Sequence, residues 1–164
     1  MLIPIVQAML LRELAAVRRS VAMYPDDASL WTLPGGLPNA GGTLVLHLAG
    51  NLQHYVGAVL GGSDYRRDRA AEFARRDVSR AELLAQLAGA VSAVERTLPT
   101  LSEESLLDPY PEAIGGRVLT TGTFLGHLAT HLAYHLGQLD YHRRVVTGDP
   151  SGAGAVSPSA IQLP

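Results

Sequence analysis

Residues 127–142 read HLATHLAYHLGQLDYH and hold four of the six histidines: His127, His131, His135 and His142. At about 100° per residue, a helix places all four within an arc of roughly 80°. The residues between them are largely apolar, so a single helix would present imidazoles down one face of a buried element. Imidazole is the commonest neutral metal ligand near pH 7, and two at i, i+4 can share one ion. A pair alone makes a loose site, so a third ligand must come from elsewhere. The remaining two histidines, His47 and His54, lie in a second apolar stretch, LVLHLAGNLQHYVGAV at 44–59. Two helices supplying three histidines is the most specific chemical pattern in the chain.

Working outward, four helical patterns emerge. Ile5, Met9, Leu10, Leu14, Val17 and Val21 recur at three- and four-residue spacing and predict a first helix from Pro4 to Met23, closed by Pro25. A Pro-, Gly- and Asn-rich loop follows. The second helix is expected over 41–60, capped by Asn39 or Thr43 and ended by Gly61 and Gly62. Residues 64–77 read as a loop or short helix. Ser79 and Glu82 form a capping-box pattern that opens the third helix, with Leu83, Leu84, Leu87, Val91 and Val94 as its stripe and Pro99 as its stop. A second long connection, 99–119, leads to the fourth helix, which starts at Thr120 or Thr121 and ends at Gly148 and Pro150. Four long helices with two long connections predict an all-α, antiparallel four-helix bundle over 1–150. Residues 151–164 are expected to form an extended or flexible C-terminal tail.

Composition narrows the function classes. With 164 residues and 47% apolar content the chain supports one domain with a real core. The net charge of −2 gives no electrostatic reason to expect nucleic acid. Arg66, Arg67, Arg69, Arg75 and Arg76 cluster, but Asp64, Asp68, Glu72 and Asp77 interleave with them, which reads as a solvated face. There is no cysteine, so disulfides, thiolate-bound zinc and a catalytic cysteine are excluded, and any thiol chemistry must use an external thiol. The N-terminal stretch carries Glu13 and ends in basic residues, the reverse of a signal peptide. No apolar run reaches the ~20 residues that span a bilayer. The expectation is a cytoplasmic protein with no membrane partner.

Spacing leaves the ligand set partly open. On the fourth helix the neighbours are 127 with 131 or 131 with 135, so His131 belongs to both pairs. His135 and His142 are about 10.5 Å apart along the axis, too far for one ion. His47 and His54 are also two turns apart, and only one can be level with the pair. His54 and His142 fall near helix ends and are expected to be partly exposed. A lone histidine on an apolar face is ordinarily a hydrogen-bonded core residue, and HxxxH alone is a weak signal. A histidine in the middle of a second apolar helix favours a metal. Residue 132 is leucine, so this is not the HExxH of a metalloprotease. Asn51 and Gln138 are placed to orient an imidazole or a bound water, or to cap an interhelical contact. His127 would line the pocket or serve as an alternative ligand. Trp31, Leu33 and Tyr110 are candidate pocket walls.

HLAGN at 47–51 and HxxxHxGQ at 131–138, within HLATHLAYHLGQLDYHRR, resemble the DinB/YfiT-like superfamily of metalloproteins. (This is the damage-inducible bundle family, not the translesion polymerase of the same name.) The resemblance runs over nearly the whole chain in helix order, loop lengths and histidine placement. It implies a bundle that binds nickel or zinc through one histidine of the second helix and two of the fourth, here His47, His131 and His135. It further implies a homodimer, and an S-transferase that uses a low-molecular-weight thiol and a small electrophilic substrate. Three protein ligands with an open position match a catalytic rather than a structural site. The alternatives are a metal-dependent hydrolase and a non-enzymatic metal-binding homodimer. No protein residue is assigned as catalytic.

Overall fold

The computed structural model describes residues 2–161, and these are all-helical. The α-helices are α1 (Leu2–Ala22), α2 (Gly41–Leu52), α3 (Arg69–Ala74), α4 (Arg80–Thr97) and α5 (Thr121–Thr147). Short 3₁₀ turns at Ala28–Trp31, Leu98–Thr100, Glu104–Leu107 and Pro158–Ala160 punctuate the connections. Among the described residues extended pairing is limited to two isolated bridges, Pro109 with Thr120 and Ile114 with Arg117.

Helix α1 packs against α4 and α5, and α2 packs against the same two helices from the other side. Each long helix therefore has two long neighbours around a shared core. The stripe on α1 buries Leu10, Leu14, Val17 and Val21 completely. Helix α2 is different, because all twelve of its residues are buried. It is covered by α3 and the Ala28–Trp31 turn as well as by α4 and α5. A helix apolar on every side is stable only when enclosed, which is why GGTLVLHLAGNL shows no polar face.

The helix ends follow identifiable chemistry. Glu103 accepts hydrogen bonds from the first backbone N–H groups of α1, Leu2 at 3.1 Å and Ile3 at 3.2 Å. Helix α1 therefore begins before Pro4, which occupies its first turn. Neither Asn39 nor Thr43 caps α2. Its N-cap is Ala40 without a side-chain bond, and Thr43 lies inside the helix. Ser79 caps α4 by accepting from the Glu82 N–H at 3.2 Å. Only that half of the capping box forms, because the Glu82 carboxylate pairs with Arg75 instead. Thr120 caps α5 through the Thr123 N–H, and Gly148 ends it with φ +71°, a left-handed conformation that favours glycine.

The second helix continues to Leu60, but Gln53–Leu60 is wound as a π-helix. There the hydrogen bonds reach back five residues, as in Gly61 N–H to Val56 O at 3.0 Å. Beyond α5, Arg19 donates to Ala153 O at 2.9 Å and the Val156 N–H donates to Glu13. The fully buried Arg143 donates to Ser151 O. Of the C-terminal segment, residues 162–164 lie outside the described residues. No described helix is long and apolar enough to cross a membrane.

Candidate metal centre

His47 projects from the middle of α2 towards α5, where His131 and His135 stand one turn apart. The Nε2 atoms of His47 and His131 are 3.2 Å apart. Ring centroids lie 5.1 Å apart for His47 and His131, 5.2 Å for His47 and His135, and 4.5 Å for His131 and His135. One nitrogen from each ring lies within 4.8 Å of the others. Tetrahedral zinc with Zn–N of about 2.0–2.1 Å separates its nitrogens by about 3.3–3.4 Å, so the set fits a divalent ion after small ring adjustments.

The outer partners decide which nitrogens face inward. The Nδ1–H of His47 donates to Glu72 Oε2 at 3.0 Å. That fixes the tautomer and leaves the Nε2 lone pair towards the other two rings. Glu72 is itself clamped by Arg67, with Nε to Oε1 at 2.7 Å and Nη2 to Oε2 at 2.9 Å. Burial would raise the carboxyl's pKa, but the bonds from His47 and Arg67 outweigh it and hold Glu72 below the usual carboxylate range. It is therefore an anion, neutralised by one guanidinium. On the other side, His135 Nδ1–H donates to Gln138 Oε1 at 2.6 Å, which turns His135 Nε2 away from Gln138. His131 Nδ1 is buried with no hydrogen-bond partner among the described residues. Burial pushes the pKa of His131 down to about 4, helped by His135, His47, His127 and Arg67. Burial also lowers His135, against the Gln138 bond. Both stay neutral at pH 7, as ligands must be.

Gly50, one turn before His54, makes the Glu72 contact possible. A Cβ there would overlap Glu72 Oε1. A side chain at 50 would require the Glu72 carboxylate to shift.

The triad opens on one side into a cavity of about 340 Å³. Asn51 lines it but makes no hydrogen bond to a described residue, so it does not orient an imidazole. His127 stands exposed at its edge, stacked on Phe124 and 5.9 Å from the His131 ring. Trp31, Leu33 and Tyr110 do not line it. Trp31 covers Gly42 more than a turn before His47 and donates to Val78 O, Leu33 is exposed, and Tyr110 is buried with its hydroxyl on Tyr55 O.

His54 lies outside the triad, half-buried, with Nε2 3.2 Å from Glu112. His142 also lies outside it, but it is not partly exposed as its position near a helix end suggests: 2% of it is accessible. Tyr24 donates to its Nδ1 at 2.7 Å and its Nε2–H donates to Thr32 O at 2.8 Å, so it pins the loop before α2. The solvated-face reading of 64–77 fails for Arg67 and Glu72, whose side chains are 9% and 7% exposed. The spacing of five between them and a glycine inside an aliphatic helix are the only traces of this in the sequence.

The family model of the DinB superfamily matches residues 9–139, a span that contains all three histidines. The chain belongs to the DinB superfamily. No curated protein and no solved structure matches it. Membership of the superfamily and the clustered imidazoles together indicate a divalent-metal site in this DinB chain.

Proposed function

We propose that this chain is a divalent-metal-dependent enzyme with His47, His131 and His135 as ligands, nickel or zinc as the ion, and thiol-dependent S-transfer to a small electrophile as its reaction. In the same reading its long helices form an antiparallel four-helix bundle and two chains pair as a homodimer. The observation that carries it is the convergence of three imidazoles on an open cavity. A divalent ion held this way supplies a Lewis acid that lowers the pKa of a coordinated thiol or water. Glu72 and Gln138 hold two of the rings in the ligating tautomer, and Arg67 keeps Glu72 ionised. The absence of cysteine supports an external thiol as the sulfur donor.

The test is elemental analysis of purified protein, followed by product detection with a low-molecular-weight thiol and a small alkyl halide. About one ion per chain in the wild type, none in His131→Ala, and thioether formed only with metal are expected. Turnover of an ester without thiol would replace S-transfer by hydrolysis. Metal binding with neither activity would leave a metal-binding protein.

A further inference from the structure

The cavity above the triad has an unbalanced charge. Two arginines line it, and among the described residues no aspartate or glutamate does. Arg67 is neutralised by Glu72. Arg69 is not: it is exposed, and no described carboxylate pairs with it. Its guanidinium lies over the Phe73 ring, 5.1 Å from the centroid, and that ring is 5.0 Å from the His47 ring. The charge is therefore held one aromatic ring away from the proposed ligands. Asp68 does not offset it there, because its carboxylate caps α3 at the Ala71 N–H and lines a separate hollow. A second observation points into the same space. Asn51 is only 7% exposed, lines the cavity, and its amide bonds to no described residue. Its amide nitrogen and oxygen are not among the buried unpaired atoms, so they open onto the cavity and are free to hydrogen-bond a ligand. Phe73, Phe124, Leu128 and Ile114 give the wall its apolar part, alongside Tyr55 and His127.

We infer that the substrate is a small carboxylate with an apolar body, its carboxylate held by Arg69 and the Asn51 amide and its body by Phe73 and Phe124. One uncompensated guanidinium balances one negative charge, and its planar fork matches a carboxylate. The assignment rests on reading the triad as the reaction site.

Benzoate, the isosteric neutral benzamide and phenyl phosphate serve as probes. Each is titrated calorimetrically into zinc-loaded protein and into chelator-treated protein, with zinc per chain measured in parallel. In both forms benzoate should bind at least about tenfold tighter than benzamide, the range for a hydrogen bond to a charged group. Arg69→Gln should erase that difference while zinc content and melting temperature stay at wild-type values. Asn51→Asp, which keeps the shape but repels an anion, should weaken benzoate and spare benzamide. Equal binding of benzoate and benzamide, or a difference that survives in Arg69→Gln, would overturn the inference, and tighter phenyl phosphate would overturn the choice of carboxylate. If wild-type protein takes up no zinc yet keeps the benzoate preference, the metal reading fails and the carboxylate site stands. Zinc at one per chain with no benzoate preference would keep the metal reading and overturn the carboxylate site.

Discussion

Glu72 decides which nitrogen of His47 faces the cavity, and it does so as a buried anion that Arg67 neutralises. Glu72→Gln can accept the same bond in one orientation but offers an N–H in the other, so the tautomer is no longer enforced. Metal affinity should fall about 10–100-fold, the usual cost of losing an outer partner, measured by competition with a chromogenic chelator. His131→Ala should abolish stoichiometric binding, and His54→Ala should leave it intact because His54 points to Glu112. His142 makes a different prediction. Burial holds its folded pKa below the ordinary 6.5 of histidine, and so it does for His131 and His135. The unfolded chain then takes up protons that the folded chain refuses, so stability is full above about pH 6.5 and falls as the pH drops towards the lowered values. The melting temperature of chelator-treated protein should decline from pH 7 to pH 5. A flat profile would show that these rings are not buried neutral. The three clustered histidines are legible in the sequence because each sits in an apolar helix, where an imidazole stands out. Glu72 and Arg67 are not, because neighbouring opposite charges look the same whether solvated or folded inwards.

At the scale of the element, caps and periodicity can be read from residues and winding cannot. Ser79, Thr120 and Gly148 mark ends that the structure keeps, since capping chemistry is local. Ser79→Ala should cost about 1 kcal/mol in urea unfolding. The π-wound stretch Gln53–Leu60 has the residue pattern of ordinary helix, because five-residue hydrogen bonding leaves no signature in it. Gly50→Ala separates two effects in α2. Alanine is the better helix former by roughly 1 kcal/mol, yet its Cβ would meet the Glu72 carboxylate. The overlap should win, so Gly50→Ala should lower both the melting temperature and the metal affinity, whereas a simple propensity effect would raise the former and spare the latter. The stripe of α4 gives the core prediction. Leu87 is fully buried, and Leu87→Ala should destabilise by about 2–5 kcal/mol.

Across the whole molecule, two sets of apolar side chains stay uncovered at helical spacing. Leu2, Ile5 and Met9 line α1, and Tyr134, Tyr141 and Val145 line α5 at 65%, 69% and 62% exposure. Exposed apolar side chains grouped on helix faces favour association, and they support the proposed homodimer. Light scattering at micromolar protein should give twice the 17.4 kDa chain mass. Tyr141→Arg or Ile5→Arg should return the monomer, whichever helix forms the contact. Mass unchanged from 17.4 kDa in the wild type would reject pairing.

The contact between His47 and His131 joins residues 84 apart in the chain. With an ion seated, that contact is a mechanical clasp around an 84-residue loop. A single molecule stretched from its two termini would release the outer segments first and hold the loop back. Opening of the clasp would then appear as a separate rip of about 300 Å of contour length at about 3.6 Å per residue. Added chelator should merge that rip with the rest.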